Sequence, residues 1–533
     1  MDALIEHLPE DIEYLKSLVL DYHSKLQQSE KEKQELEAYK SRCNFLEEEL
    51  RLLKDRMFNK KSEKVSEDEL LQGRLFDEVE VNSKPEDVPT VKVKSYRRKK
   101  GGKKKLPESL PRVEIEHDIP EEEKQCECGH VKERIGTVES ERLDIIPAKI
   151  RVEKHIRYKY ACKQCEGVES SKGAVQTAPL PPQLILQGMA TPGLVAYITA
   201  GKYIDGTPLY RLEKIFTRFG VELSRQTMCN WLMTTYEKTK NLMELMWDDL
   251  LSYPLIGIDE TRVQVLKEPG RKNTSLSYMW VFRGEGRSSP LLLFRYQPTR
   301  SPTYVEKLLK DYRGTIQTDG YAGYDRIGRY ESIVHAGCWA HARRKFIEAE
   351  KAGGSNEYIT EVLKLIRNLY AVEKHIRENN LDNNDILKLR NEKSRPVINY
   401  LHKLLMNKHE TVPPKSKLGE AISYTLDDWD KLIVYLDNPL IPIDNNPVEN
   451  AIRPFVIGRK NWLFSGSPRG ADASAAFYSL IETAKANNLE PYWYLRYLFT
   501  KLPYCECEED LRKLLPYQVT TEIVRKVFAE DML

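Results

Sequence analysis

The sequence predicts a multidomain protein of the α+β class, because the spacing of its apolar residues changes along the chain. Residues 12–57 carry apolar side chains three and four positions apart, a spacing typical of a long helix. Residues 111–180 contain two close cysteine pairs, which indicate a small metal-stabilised unit. After residue 253, apolar runs typical of buried strands alternate with helical patterns.

The length and composition are those of a soluble protein with several domains. The 533 residues suffice for about three or four domains, and 41% of them are hydrophobic and 31% charged. No apolar run approaches the roughly 20 residues of a membrane helix, and the acidic start MDALIEHLPEDIEYL is unlike a signal peptide. We therefore expect a cytoplasmic protein without a membrane partner.

The N-terminal region has the apolar spacing of a coiled coil. A first series consists of Ile12, Leu15, Val19, Tyr22 and Leu26. A second series, in a shifted phase, consists of Leu36, Tyr39, Cys43, Leu46, Leu50, Leu53 and Met57. The polar stretch between them marks a phase slip or a break. This seam predicts self-association, and the alternative is a helix folded back on its own chain.

A charged segment with little periodicity follows and predicts a flexible linker. Residues 92–105, KVKSYRRKKGGKKK, include nine Lys or Arg among fourteen residues. Arg97, Arg98, Lys99 and Lys100 at its centre are candidate contacts to DNA phosphates. The alternative is a linker whose charges only keep the chain in solution.

Two cysteine pairs predict a structural zinc site. Cys126 and Cys128 form the first pair, and Cys162 and Cys165 form the second. The β-branched and aromatic residues between the pairs predict a two-stranded hairpin, and four thiolates would complete a tetrahedral zinc site. The first pair is one residue short of the common spacing, so His130 remains an alternative ligand. Chance pairing of free cysteines is the other alternative.

Residues 190–237 predict three short helices with a helix-turn-helix join. Gly220 is typical of the end of the second helix, and Ser224 of the N-cap of the third. The third helix would then present four side chains to DNA as a recognition helix. These are Arg225, Gln226, Thr227 and Asn230. The alternative is a three-helix bundle without a role in DNA binding, which has a similar pattern.

Two aspartates follow predicted strands of one sheet. The apolar run from residue 253 predicts a strand that ends at Asp259, and GTIQTDG predicts another that ends at Asp319. Two further strands are predicted between them, joined by a turn at residues 283–286. The predicted order of elements is three strands, a helix, a fourth strand and a second helix. This is the order of a ribonuclease-H-like fold, in which the first and fourth strands are adjacent. Asp259 and Asp319 would therefore meet, although each alone also suits a strand end or a turn.

A third acid lies in DNNPVENAIRPFVIGRK, residues 444–460. Glu449 is compatible with a capping box in which Asn446 is the N-cap and Pro447 the first helical residue. It is equally compatible with a place beside the two aspartates, because three carboxylates suit a pair of Mg²⁺ ions. We expect both roles. Arg453, Arg459 and Lys460 follow as candidate DNA contacts.

The separation of 130 residues between Asp319 and Glu449 is longer than the core of a ribonuclease-H-like fold requires. Residues 351–440 are therefore predicted to form a helical insertion. Cys338 and His341 stand before it at a helix start. They could bind a metal, but we favour packing beside the acids. The cations Arg343, Arg344 and Lys345 on the same helix are candidate phosphate contacts.

The chain closely resembles the DDE transposases of the insertion-sequence 66 family from about residue 10 to its end. The segments that carry the resemblance are RMFNKKSEK, KYIDGTPLYRLEKIFTRFGVELSRQT, IDET, QTDGYAGYD, CWAHARRKF, DNNPVENAIRPFVIGRKNWLFSGS and SLIETAKANNLEPYWYL, together with the two cysteine pairs. The resemblance implies that Asp259, Asp319 and Glu449 form the acidic triad, with Mg²⁺ or Mn²⁺ as cofactor. It also implies structural Zn²⁺, and Glu260 remains a second acid without an assigned role. The short Cys126–Cys128 spacing departs from the family and leaves one zinc ligand open.

The predicted function is binding the ends of an insertion sequence and catalysing DNA cleavage and strand transfer. The predicted partners are double-stranded DNA at the element ends and target, a second or further copy of the chain, and companion proteins of the same element. Bound to DNA, the protein would associate with the nucleoid. The alternatives are a non-catalytic DNA-binding regulator and a ribonuclease-H-like nuclease or resolvase.

The predicted regions follow the order of these motifs. They are a coiled-coil dimerisation helix (1–60), a basic linker (61–110), a zinc-binding domain (111–180), a helix-turn-helix domain (181–245), a ribonuclease-H-like catalytic domain (246–350 and 441–490) with its helical insertion (351–440), and a C-terminal helical segment (491–533).

Overall fold

A computed structural model describes residues 12–58, 150–156, 158–161, 175–177, 179, 181–186, 188–287, 289–353 and 356–528. The chain forms two compact units: one contains residues 1–59 and 181–527, and the other contains residues 60–180 and 528–533. The predicted zinc ligands Cys126, Cys128, Cys162 and Cys165, and the basic residues Arg97, Arg98, Lys99 and Lys100, lie outside the described residues. None of the helices in the described ranges is both long and apolar enough to cross a membrane.

Among its described residues, the smaller unit contains one short antiparallel pair of strands. Strand β1 (Lys159–Ala161) pairs with β2 (Val175–Thr177). The second cysteine pair therefore lies in the connection between these strands. Strand β1 ends the stretch that was predicted to form a hairpin, and most of that stretch lies outside the described residues, so the hairpin remains a prediction.

The N-terminal helix α1 is continuous from Ile12 to Phe58. The polar stretch in its middle does not interrupt it, since Lys, Gln and Glu are good helix formers. Val19, Tyr22 and Leu26 on the predicted seam are 67%, 61% and 60% exposed. Pairing of this helix with another helix remains a prediction.

Three helices follow in the larger unit. They are α2 (Pro192–Tyr203), α3 (Leu209–Arg218) and α4 (Arg225–Leu250). The Ser224 side chain accepts a hydrogen bond from the Thr227 N–H and caps α4, while Gly220 follows α3 with a φ of 77°. The helix ends predicted from these two residues are confirmed, but α4 is longer than predicted.

The sheet at the centre of the larger unit mixes antiparallel and parallel strands. Its strands are β3 (Leu255–Val265), β4 (Leu276–Glu285), β5 (Leu291–Gln297), β6 (Gly314–Gln317) and β7 (Ile333–Ala336), with β8 (Phe464–Ser465) paired to the end of β3. Their order is β5-β4-β3-β6-β7. The first three strands are antiparallel, and β6 and β7 are parallel to β3. As expected, β3 and β6, which are the first and fourth strands of this sheet along the chain, are adjacent.

Two strand boundaries differ from the sequence-based expectation. Asp259 lies in the middle of β3 rather than at its end, because β3 continues for six residues and pairs with β4 along this length. Arg283, Gly284 and Glu285 belong to β4 and pair with β3. Backbone hydrogen bonds between β3 and β4 hold both strands in extended conformation. The strands therefore continue through polar residues whose sequence is typical of a turn.

Further helices follow the strands along the chain, and some of them pack against the sheet. They include α5 (Pro302–Leu309), α12 (Asn446–Trp462) and α13 (Pro468–Ala486), followed by α14 (Pro491–Lys501), α15 (Glu508–Arg512) and α16 (Thr521–Phe528). The Phe294 N–H donates to Ser479 Oγ of α13 at 2.8 Å, and the Leu292 N–H donates to Thr483 Oγ1 at 3.1 Å. The edge of β5 is therefore satisfied by side chains.

A helical section connects β7 to α12. It consists of α6 (Trp339–Gly353), α7 (Glu357–Glu378), α8 (Asn383–Leu389), α9 (Arg395–His409), α10 (Lys417–Asp427) and α11 (Trp429–Ile433), with a π-helical turn at Arg390–Ser394. These helices share a buried core that includes Trp339, Phe346, Val362, Leu401 and Ile422. The limits of the predicted insertion, 351–440, remain a prediction.

Candidate active site

The parallel pairing of β3 and β6 brings two aspartates together. Gly257 of β3 is paired in register with Gln317 of β6, and Asp259 and Asp319 each lie two residues further along. The Tyr321 N–H donates to Asp319 Oδ1 at 3.1 Å and holds that carboxylate at the strand end. Two acids that are 60 residues apart in sequence thus lie two residues beyond the same paired position, one within β3 and one just after β6.

The start of α12 is fixed against the same part of β3. Asn445 Nδ2 donates to the carbonyl of Ile258 at 3.2 Å, immediately before Asp259. Gln317 Nε2 donates to the carbonyl of Pro442 at 2.7 Å, and the Trp339 N–H donates to the carbonyl of Ile443 at 3.1 Å. These bonds return the chain to the sheet after the helical section, so that Glu449 follows one turn into α12.

The helix cap differs from the predicted capping box. Asn446 is the first helical residue, Asn445 is the N-cap, and the Asn445 side chain makes no capping bond. Asp444 instead accepts from the Asn446 backbone N–H at 3.2 Å and from Asn446 Nδ2 at 2.7 Å. Assigning Asn446 as N-cap was therefore wrong by one position, because Asp444 is the better acceptor for the exposed N–H groups.

The three carboxylates influence one another electrostatically. Burial raises the pKa of Asp259 well above its usual range, and the negative charges of Glu260, Asp319 and Glu449 raise the pKa further. Asp259 is thus close enough to both other acids of the predicted triad to be affected by their charge. A site in which carboxylates disfavour one another's ionisation has a net affinity for cations.

Glu260 belongs to a different network from Asp259. Its buried carboxylate accepts hydrogen bonds from Arg300 and from the Tyr324 hydroxyl. Arg300 also lies 4.0 Å from Asp319 and stacks on the Tyr321 ring at 3.6 Å. Burial, followed by the charge of Asp319, raises the pKa of Glu260 to about 7. Glu260 therefore anchors the arginine that lies beside Asp319, a role its sequence position did not reveal.

Glu449 lies between two side chains of α6. His341 Nε2 is 3.6 Å from Glu449 Oε1, and Arg344 Nη2 is 3.6 Å from Glu449 Oε2. Burial lowers the pKa of His341 to about 4, so its imidazole is neutral at physiological pH. Arg344 thus has a carboxylate neighbour, and its contact with phosphate remains a prediction.

Cys338 packs beside this pair, as the sequence favoured. Its buried thiol accepts the Asn445 N–H at 3.2 Å, and burial raises the pKa of the thiol to about 12. Cys338, His341 and Glu449 each offer one ligand atom within 4.8 Å of the others. This is also a possible arrangement for a metal ion.

Gly257 allows α12 to lie directly on β3. A Cβ at this position would stand 2.2 Å from Val448 Cγ2, which is closer than any real contact. We expect Gly257→Ala to lower the free energy of unfolding by about 1–3 kcal/mol through overpacking, as measured by urea denaturation. Adding Val448→Ala should restore most of the loss. Gly466→Ala is the control, because its Cβ would meet nothing within 4 Å. If Gly257→Ala lost no more stability than Gly466→Ala, the close approach of α12 to β3 would be contradicted.

The predicted recognition residues lie at the exposed start of α4. Arg225, Gln226 and Asn230 are exposed, and Thr227 is half-buried beside the Ser224 cap. Gln226 Nε2 donates to Asn230 Oδ1 at 3.0 Å, so these two amides face the same side of the helix. The three-helix arrangement thus leaves polar side chains available at the helix N-terminus.

The three predicted cations of α12 have different surroundings. Arg459 Nη1 lies 3.4 Å from Thr261 Oγ1, two residues beyond Asp259 on the same side of β3. Lys460 is exposed, whereas Arg453 is half-buried, with an Nε that has no partner among the described residues. Arg459 therefore contacts the strand that carries the first acid.

Four family descriptions match the chain. "Transposase IS66 family" matches residues 187–473, more than half of the sequence. "Zinc-finger binding domain of transposase IS66" matches residues 123–166, which include all four predicted zinc ligands. "IS66 C-terminal element" matches residues 479–517, and "Transposase C of IS166 homeodomain" matches residues 45–115. The zinc-finger match supports structural zinc.

Curated relatives match over most of the chain. The uncharacterized protein y4jD of Sinorhizobium fredii is 34% identical over 402 residues, which cover 73% of this chain and 76% of that protein. The uncharacterized protein y4qI of the same organism is 33% identical over 430 residues, 78% of this chain and 77% of that protein. Their names assign no function, whereas the family matches imply a transposase that binds DNA. The chain is a member of the IS66 transposase family.

Proposed function

We propose that this transposase binds the ends of its insertion sequence and catalyses DNA cleavage and strand transfer at Asp259, Asp319 and Glu449. The observation that carries the proposal is the convergence of these acids from β3, the end of β6 and the first turn of α12. Water would attack the phosphorus at the element end and release a 3′-hydroxyl. That hydroxyl would then attack a phosphodiester of the target in the same site.

The donor set fits Mg²⁺ or Mn²⁺, because hard divalent cations prefer carboxylate oxygens together with phosphate and water. Burial and neighbouring negative charges disfavour the ionised form of Asp259, and a bound cation would offset that repulsion. Bound Mg²⁺ would activate the attacking oxygen and stabilise the leaving oxygen. The three carboxylates would hold the ion, while Arg300, which lies 4.0 Å from Asp319, would restrict that carboxylate.

We assign the catalytic region to the ribonuclease-H-like class. Its support is the strand order β5-β4-β3-β6-β7, with three antiparallel strands followed by two that are parallel to β3. The acids lie on the central strand and its parallel neighbour, where that class would place them. The helical section between β7 and α12 is then an insertion.

DNA would be bound by several parts of the chain. The exposed start of α4 would enter the major groove through Arg225, Gln226 and Asn230. The basic segment with Arg97, Arg98, Lys99 and Lys100 would contact phosphates without reading sequence. The zinc unit, with Cys126, Cys128, Cys162 and Cys165 as ligands, would add a further DNA-binding surface.

We also propose that α1 pairs with the same helix of a second copy. Val19, Tyr22 and Leu26 on its seam are more than half exposed in the single chain. Pairing would bury these side chains and bring two sets of acids to the two ends of one element. Companion proteins of the element would join the same complex.

A non-catalytic regulator is the second candidate, supported by the helix-turn-helix alone. Three carboxylates that repel phosphate and one another would be costly in a pure DNA-binding protein. A nuclease or resolvase would use the same acids without joining DNA. An assay that detects joining therefore separates all three candidates.

The experiment uses full-length protein and labelled duplexes that carry the two ends of the element with their flanking DNA. We expect Mg²⁺-dependent release of a 3′-hydroxyl at the end, followed by joined products when target DNA is added. Cleavage without joining would indicate a nuclease, and end binding without cleavage would indicate a regulator. A duplex with scrambled ends is the control for recognition.

Binding of Mg²⁺ should become stronger as pH rises. The pKa of Asp259 is raised, so this carboxyl keeps its proton above the usual Asp range and must lose it to bind a cation. One displaced proton gives about tenfold stronger binding per pH unit below the raised pKa. Calorimetric titration with MgCl₂ measures this over a series of pH values that begins near the usual Asp range, at about 4, and ends at about 8. Equal affinity across that range would contradict proton release, and Asp259→Asn should remove the proton that Asp259 contributes.

A further inference from the structure

Two side chains on one face of α6 contact opposite oxygens of Glu449. His341 Nε2 lies 3.6 Å from Oε1, and Arg344 Nη2 lies 3.6 Å from Oε2. Residues three apart on a helix are neighbours on its surface, so this pair forms one contact surface. Glu449 is only 7% exposed, and its Oε1 has no hydrogen-bond partner among the described residues. The orientation of the carboxylate thus depends on these two side chains.

Cys338 fixes the backbone that leads to the same glutamate. Its buried Sγ accepts the Asn445 N–H at 3.2 Å and also a backbone N–H from His341. One thiol thereby joins the start of α6 to the residue that precedes α12. Cys338 and His341 are three residues apart at the start of α6. The thiol of Cys338 contacts the backbone of Asn445, and the imidazole of His341 contacts the side chain of Glu449, one helical turn further along α12.

We propose that Cys338, His341 and Arg344 are positioning residues that hold the Glu449 carboxylate in the orientation required of a metal ligand. The proposal rests on the proposed function, because it takes Glu449 as a ligand. A glutamate side chain has several rotatable bonds, and restricting them before the cation binds lowers the entropic cost of binding. Contacts of 3.6 Å are longer than hydrogen bonds, and such contacts commonly shorten when the complete complex forms.

The alternative occupant of this cluster is a transition-metal ion held by Cys338, His341 and Glu449. Two features favour positioning. The sulfur already accepts two backbone N–H groups, and the guanidinium of Arg344 lies beside the second oxygen of Glu449. The thiol and that oxygen are thus each already engaged by a group of the chain. Zinc content therefore enters the test as an outcome.

The experiment measures Mn²⁺ binding to full-length protein without DNA, by electron paramagnetic resonance of the free ion. We expect His341→Ala to weaken Mn²⁺ binding by about 10- to 100-fold, the usual effect of removing a group that orients a ligand. His341→Gln keeps an N–H donor and should recover most of the affinity. Arg344→Gln, which acts on the other oxygen, should also weaken binding and serves if His341→Ala does not fold. Lys351→Ala, at the exposed end of α6, is the matched control and should bind as the wild type does.

The outcomes separate this inference from the proposed function. Wild-type Mn²⁺ affinity in both His341→Ala and Arg344→Gln overturns the positioning role. Loss of one zinc per chain in His341→Ala, measured by elemental analysis, overturns it in favour of a metal centre. If Glu449→Gln cleaves DNA as the wild type does, the proposed function itself fails. If Glu449→Gln is inactive while the two α6 variants bind Mn²⁺ normally, only the positioning inference fails.

Discussion

Replacing Asp259 with Asn should lower the rate of Mg²⁺-dependent cleavage at the element ends by about a thousandfold or more. The substitution keeps the size of the side chain and removes the charge that would hold the cation. Asp259 lies on β3, and burial together with the charges of Glu260, Asp319 and Glu449 raises its pKa, so its carboxylate lies beside the other acids of the triad. The rate is measured in single turnover with labelled element ends.

DNA binding separates loss of catalysis from loss of the fold. Fluorescence anisotropy should give Asp259→Asn an affinity for the element ends at least equal to that of the wild type, because a negative charge near phosphate is removed. Asp311→Asn is the matched control, since the Asp311 side chain is 81% exposed and forms a surface ion pair with Lys310. Wild-type cleavage by Asp259→Asn would remove Asp259 from the site.

The sequence alone located the acids but not their neighbours. Asp259 and Asp319 could be placed because apolar strand patterns and a turn signal surround them, and the parallel pairing of β3 with β6 brings them together. Arg300 lies in a loop 40 residues after Glu260, and His341 lies more than 100 residues before Glu449. Local spacing carries no information on such pairs, because they form only when separate elements pack.

Helix ends were predictable where one residue determines them. Ser224 and Gly220 have intrinsic preferences for cap and left-handed conformations, and the structure uses both. Strand ends were not predictable from single residues. Strand β3 continues through Glu260, Thr261 and Arg262 because it pairs with β4 along this length. In sequence these polar residues resemble a turn, whereas in the sheet their backbone is held by the partner strand.

The largest effect on stability is expected at Arg390, which holds the returning chain of the helical section. Its guanidinium is fully buried and donates to both Glu373 oxygens at 2.8 Å. Its remaining N–H groups donate to the carbonyls of Tyr435, Asn438 and Ile441. All five donors of the guanidinium are used. Arg390 therefore fixes the segment that leads to Asp444 and the start of α12.

We expect Arg390→Met to lower the free energy of unfolding by about 3–5 kcal/mol, because it leaves the Glu373 carboxylate buried without its partner. Arg395→Met is the matched control: Arg395 pairs with Asp437 at the exposed surface of the same region, and such pairs contribute about 0–1 kcal/mol. Adding Glu373→Leu to Arg390→Met should recover part of the loss, since the unpaired charge is removed as well. Urea denaturation of the three variants gives the comparison. Equal losses for Arg390→Met and Arg395→Met would show that the buried pair does not hold the returning segment. The position of Glu449 would then depend on the hydrogen bonds that join this segment to Gln317, Cys338, Trp339 and Ile258.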